Sequence, residues 1–406
     1  MPARKTRLWG TLAAVSLIAV MSGAATREAK AADPGLTDDE IVIGMFAPLS
    51  GPLANFGYDA LYAAKAWYDD VNKAGGIHGR KIRVIIEDDK CSAQDVVAVA
   101  KKYITVDKVF LLHGGSCTGA TVAAQEIVAR EKVPFIMLNA SGDDAIFPPT
   151  RYTFGGFSGT QKSVGATLVQ FAATHLKGRR IGYIGHDDAY GKSNFESAKA
   201  VADQLGAEIV AVERVSPKIT DMTAPVLNLR AAQPDVIVAS TYPGPSEILA
   251  QKAHEFGVTT PIVLGPQGIP APEVFAKNVG NPEALKNFYY GQPLNDLLEG
   301  PKQQRWVDFY KAHYPDRTNP SGFMAYALPS AMAITRALEQ VGRDLDREKF
   351  VDAMESLDFD SEVTAGRTTF SKDRRDGSRG YVYVKFDGKN HVLQPGSYEW
   401  KPVPAK

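Results

Sequence analysis

Cysteine is nearly absent: Cys91 and Cys117 are the only two in 406 residues. Neither lies near the N-terminal segment, which argues against a lipid anchor there. Two thiols without nearby histidines also make a poor zinc site. An excess of either charge is missing as well. The 46 Lys and Arg balance 46 Asp and Glu, which gives no electrostatic footprint for nucleic acid. Beyond the N-terminal segment no run is apolar enough to span a bilayer, which takes roughly 20 residues. Catalytic signatures are missing too: there is no G-x-S-x-G elbow, no H-E-x-x-H and no Walker A loop. Gly114-Gly115…Gly119 lacks the dinucleotide spacing. His186-Asp187-Asp188 has metal-ligand side chains, but consecutive residues after a strand more often cap a helix or face solvent. The sequence therefore predicts no enzyme, no cofactor and no metal.

What is there begins with an export address. Arg4, Lys5 and Arg7 precede an apolar run from Leu8 to Met21, and Ala29-Lys30-Ala31 is a small-x-small cleavage signal. The mature chain is expected to begin at Ala32, outside the cytoplasm; an uncleaved N-terminal anchor is the alternative. Removing residues 1–31 takes away five cations and one anion and leaves a net charge of −4. In an oxidising compartment Cys91 and Cys117 are expected to be joined. A bridge over a loop of this length contributes roughly 3 kcal/mol in the chain-entropy model.

The length predicts two domains. Strand-like runs alternate with helical patterns: Ile41–Phe46, then helix Tyr58–Lys73, then Lys81–Glu87, helix Ala93–Ile104, Val109–His113, helix Gly119–Arg130 and Pro134–Leu138. The strands are continuously apolar, which suits a parallel sheet covered on both faces. The rhythm restarts at Arg180–Gly185 and runs to Pro261–Leu264. Two doubly wound α/β lobes follow from this repetition. Helices at Gln303–His313 and Gly322–Val341 and strand-like Thr368–Phe370 and Tyr381–Phe386 then return to complete both lobes.

Ligands of doubly wound sheets bind beyond the carboxyl ends of the strands. The residues found there are small and polar: Ser50-Gly51-Pro52 with Phe56, Gly114-Gly115-Ser116-Cys117-Thr118, and Asn139-Ala140-Ser141-Gly142. The second unit offers Asp188-Ala189-Tyr190, Thr241-Tyr242-Pro243 and Gly265-Pro266-Gln267-Gly268. Singly, each reads as a turn or a helix cap. Together they predict a small ligand enclosed among hydroxyls on one side and tyrosines and an amide on the other.

These loops carry a resemblance. Ile41-Val42-Ile43-Gly44, Pro48-Leu49-Ser50-Gly51-Pro52, Asn72-Lys73-Ala74-Gly75-Gly76-Ile77, Asp88-Asp89-Lys90-Cys91, Gly265-Pro266-Gln267-Gly268 and Gly366-Arg367-Thr368-Thr369-Phe370 follow one another along the mature chain. In that order the chain resembles the leucine/isoleucine/valine-binding protein family, the type I periplasmic binding proteins of ABC importers. The resemblance implies two lobes joined by three crossovers, with residues 32–157 plus 287–365 in the first and 158–286 plus 366–406 in the second. It implies a periplasmic monomer that closes by a hinge on an amino acid or related small carboxylate and delivers it to ABC permease subunits. Thr118, Asn139 and Ser141 match the positions that take the ligand's polar end. Phe56, Tyr190 and Tyr242 match aromatic positions around the cleft. Gln267 departs from the pattern, because amino-acid-binding members carry Glu in that loop to pair with the ligand ammonium. Aromatic or short aliphatic acids, or amides, are therefore alternative ligands. A ligand-sensing module of a receptor is the alternative role.

Overall fold

Ile41 to Phe46 carry no apolar–polar alternation, and the strand they form is buried on both faces, as that pattern demands. The computed structural model describes residues 1–2, 33–51, 54, 57–269, 272–317, 320–387 and 390–401. The expected leader, its cleavage site and Phe56 lie outside the described residues. Both sheets belong to one unit, Asp33–Lys406.

The first sheet contains β1 (Glu40–Ala47), β2 (Lys81–Asp88), β3 (Leu111–Gly114), β4 (Phe135–Met137) and β5 (Thr153–Phe154) in the order β2-β1-β3-β4-β5, all parallel. Helices α1 (Tyr58–Lys73), α2 (Ala93–Thr105), α3 (Thr118–Thr121) and α4 (Gln125–Arg130) connect the strands. The single helix expected over 119–130 is broken by a 3-10 turn at Val122–Ala124. Thr121 Oγ1 donates to the Cys117 carbonyl at 2.9 Å there, a local bond that competes with regular helix.

The second sheet repeats the plan. Strands β6 (Arg180–His186), β7 (Glu208–Val215), β8 (Val236–Ser240), β9 (Ile262–Leu264) and β10 (Phe288–Gln292) stand in the order β7-β6-β8-β9-β10, all parallel. Helix α5 (Gln161–Thr174) leads into β6, and α6 (Ala189–Leu205), α7 (Thr223–Ala231), α8 (Pro243–Glu255) and α9 (Pro272–Val279) link the strands. Thr160 and Ser163 form a capping box on α5, and Gly206 ends α6 in the left-handed conformation at φ +66°.

Helices α10 (Pro301–His313), α11 (Phe323–Val341) and α12 (Arg347–Glu355) return to the first lobe, where α11 joins the core of α1. Strands β11 (Asp358–Phe359) and β12 (Thr368–Thr369) pair with each other. Then β13 (Gly380–Phe386), β14 (His391–Leu393) and β15 (Tyr398–Glu399) cover the edge of the second sheet, with β13 antiparallel to β10.

These pairings correct the expected lobe boundaries. Strand β10 is hydrogen-bonded to β9 and β13, so residues 288–292 belong to the second lobe and not to the first. Phe370 edges Phe154 at 5.2 Å and Phe157 at 5.4 Å, so residues 368–370 stay with the first lobe. The crossovers lie side by side. Gly155 N–H donates to the Arg375 carbonyl at 2.9 Å, and Ser378 N–H donates to the Gly156 carbonyl at 2.9 Å. The remaining crossover is tied by Ala365 N–H to the Pro293 carbonyl at 2.7 Å.

Cys91 and Cys117 are joined, with Cα atoms 5.5 Å apart, fixing the turn after β2 to the start of α3. Asp89 lies beside this bridge, 1% exposed, accepting the Cys91 N–H at 2.8 Å. Burial, aided by the Asp88 and Asp95 charges, pushes its carboxyl up to about 6. A folded pKa above the unfolded one means this group favours folding at low pH, and that contribution is lost as pH rises through about 6. Asp89→Asn is therefore expected to raise stability at pH 8 by of order 2 kcal/mol and to change nothing below about pH 4. Urea titrations at the two pH values measure this; an equal effect at both would contradict it.

Candidate functional site

In both sheets the strand order reverses between the first and third strands of the unit, β1/β3 and β6/β8. Such switch points are where doubly wound sheets open a crevice. The loops singled out from sequence leave the sheets at or beside these points.

On the first lobe, Gly115 turns the chain after β3 at φ +85°, and a Cβ there would meet Thr121 Oγ1 at 2.5 Å. Thr118 Oγ1 accepts the Gly142 N–H at 3.1 Å, which fastens the loop after β3 to the loop after β4. A Cβ at Gly142 would stand 2.1 Å from Thr118 Cγ2, so the contact requires glycine. Asn139 and Ala140 N–H both donate to the Gly115 carbonyl, at 3.4 and 3.2 Å. Thr118, Asn139 and Ser141 are half-buried on this joined surface. Ser116, two residues before Thr118, has a buried hydroxyl with no partner among the described residues. Because Thr118 accepts through its oxygen, its O–H proton stays available, and the wall presents hydroxyl donors to an acceptor such as a carboxylate. Behind β3, His113 bonds Tyr68 Oη and Ser330 Oγ, each at 2.8 Å, and burial lowers its pKa to about 3, so it holds α1 and α11 as a neutral ring.

On the second lobe, the rings of Tyr190 and Tyr242 are stacked with centroids 5.0 Å apart. His186, fully buried, supports them. Its Nδ1 lies 3.2 Å from the Val215 carbonyl, and its Nε2 accepts the Tyr242 N–H at 2.8 Å. Asp188 caps α6 by accepting the Gly191 N–H at 3.0 Å and takes the Tyr242 hydroxyl at 3.3 Å. The His186-Asp187-Asp188 run thus builds the aromatic wall. Burial raises the Tyr190 phenol well above its ordinary range; burial, reinforced by the Asp188 charge, brings Tyr242 up to about 12. Both phenols stay neutral.

Tyr190 Oη donates to Gln267 Oε1 at 3.1 Å. Tyr190 and Gln267 come together across 77 positions of sequence, and the amide oxygen is engaged. The amide N–H2 of Gln267 has no partner among the described residues, and the side chain is half-buried. Sequence reasoning missed further residues. Tyr326, in the first turn of α11, has its phenol raised to about 12 by burial. Tyr381 Oη lies 3.3 Å from Ser163 Oγ. Asp143, two residues past Ser141, accepts a hydrogen bond from Ser193 of α6. Only the aromatic residue at a helix start hinted at Tyr326; Asp143 carried no signal.

A family model described as periplasmic binding protein matches residues 40–390. The chain belongs to the periplasmic binding protein family. This binding protein is 24% identical over 372 residues to Leu/Ile/Val-binding protein homolog 7 of Brucella abortus, covering 89% of this chain and 90% of the relative. Its fold is shared by a Streptococcus pneumoniae branched-chain amino acid transporter substrate-binding protein in complex with isoleucine. That match has a TM-score of 0.68 and 24% identity, covering 88% of this chain and 99% of the other. The fold also matches an R. palustris ABC transporter solute-binding protein in complex with 4-hydroxybenzoate. There the TM-score is 0.70 and the identity 17%, covering 90% and 98%.

Proposed function

We propose that this chain is the periplasmic solute-binding component of an ABC import system, and that it encloses an amino acid of branched-chain type or a related small carboxylate between its lobes. The observation that carries the reading is the pair of unlike walls at the two switch points. Hydroxyls of Ser116, Thr118 and Ser141 stand on one lobe, and the Tyr190–Tyr242 stack with Gln267 stands on the other. A carboxylate bonds to the first wall and an apolar or planar body packs on the second. The relatives' names, with leucine, isoleucine and valine among their ligands, support the amino-acid form. Hinge motion at the crossovers would enclose the solute and present the closed form to a membrane permease.

A second reading is favoured by Gln267. Its oxygen is taken by Tyr190 and its free group is a donor, which suits an acceptor on the ligand better than an ammonium. An aromatic or short aliphatic acid fits that description. A thermal-shift screen of aliphatic amino acids, aromatic acids and amides on the mature protein tests both. A ligand at 100 times its Kd stabilises by about 2.7 kcal/mol. Failure of every class, with turnover of a substrate in its place, would end the transport reading.

A further inference from the structure

One first-lobe loop is gripped by several second-lobe elements. Asp143, 7% exposed, accepts the Ser193 hydroxyl from α6 on Oδ2 and the Lys162 backbone N–H from α5 on Oδ1 at 3.3 Å. Four residues on, the Phe147 ring receives the Lys162 ammonium at 4.8 Å and the edge of Trp400 at 6.2 Å. Trp400 follows β15 and is itself stacked under the Arg379 guanidinium at 4.9 Å. Each Asp143 oxygen thus accepts a hydrogen bond from the opposite lobe. Burial raises the pKa of this carboxyl above its ordinary value, and the Ser193 and Lys162 hydrogen bonds offset only part of that cost.

We propose that Asp143 is a closure-positioning residue: by holding Ser193 and the first turn of α5 it sets the free energy the lobes gain on coming together, without touching the solute. The loop begins two residues beyond Ser141, so the ligand wall and the latch move as one piece. Apparent affinity equals intrinsic affinity scaled by the fraction of molecules in the competent arrangement. Loosening the latch therefore weakens every ligand by one common factor, whereas a residue that touches the ligand discriminates between ligands.

The test uses the mature protein, its Ser193→Ala and Asp143→Asn variants and the double variant. Isoleucine and 4-hydroxybenzoate serve as probes in calorimetric titrations, with small-angle scattering of the ligand-free proteins alongside. Either single change is expected to weaken each probe that binds by about tenfold. The double variant should be no weaker than the weaker single one, and the ligand-free variants should have a larger radius of gyration than the parent. A loss that differs between probes, additive losses, or unchanged affinity would overturn the proposal. If neither probe binds, the reading of the ligand class fails separately and scattering alone decides: an unchanged radius of gyration in Ser193→Ala overturns the latch. Ser193→Ala removes one hydroxyl from a helix, so the test survives misfolding of the Asp143 variant.

Discussion

Asp376→Asn is expected to destabilise the protein by about 3–5 kcal/mol, the range for breaking a buried ion pair from one side. Asp376 is fully buried on the last crossover. Its carboxylate takes a two-pronged contact from Arg379, through Nε and, at 2.7 Å, through Nη2, with Arg374 Nε 3.8 Å away. Arg379 and Arg374 are 11% and 19% exposed. Asparagine preserves the shape but leaves those cations without their counter-charge, and water reaches them poorly. The damage falls where Gly155 and Gly377 pair the crossovers, so binding should weaken along with stability. The control is Arg367→Gln, which removes a partner from Asp358 where both side chains are more than half exposed. That change is expected to cost less than about 1 kcal/mol. Denaturant unfolding of both variants measures the contrast; equal midpoints for Asp376→Asn and the parent would refute the argument.

Gln267→Glu is expected to shift the preference between a zwitterionic amino acid and a plain carboxylate by about a hundredfold towards the amino acid, roughly 2.7 kcal/mol. Two effects add. A carboxylate facing an ammonium gives a charge-assisted bond about twice as strong as a neutral one. The same substitution removes the amide donors and turns lone pairs towards a ligand acceptor, which costs about 1–3 kcal/mol when buried. Tyr190 keeps its role, because its hydroxyl donates to an amide oxygen or a carboxylate oxygen alike. Competition titrations with isoleucine and 4-hydroxybenzoate on parent and variant give the ratio. An unchanged ratio would mean that this loop does not meet the ligand.

Much of the fold was legible because unbroken apolar strands at regular spacing admit few arrangements. The doubly wound rhythm and its restart at Arg180 follow from periodicity alone. Lobe membership near the crossovers was not legible. Phe288–Gln292 and Thr368–Thr369 are short, and a short strand carries no mark of the sheet it joins; only pairing with β9 or β11 decides it. The candidate loops were legible because ligand sites of this architecture gather at strand ends. Their couplings were not. The bonds of Tyr190 with Gln267 and of Asp143 with Ser193 join residues far apart in sequence, and each depends on packing that local pattern does not encode.

The order of synthesis acquires a meaning from the last three strands. Strand β13 covers β10, and β14 and β15 then pair with β13. A nascent chain that has emerged only as far as residue 379 already contains every helix found among the described residues but leaves β10 as an uncovered edge. Unpaired edges invite association with other chains. The second lobe therefore reaches its protected form only when the final segment arrives, and a truncation before Gly380 would yield a sticky fragment rather than a smaller working protein.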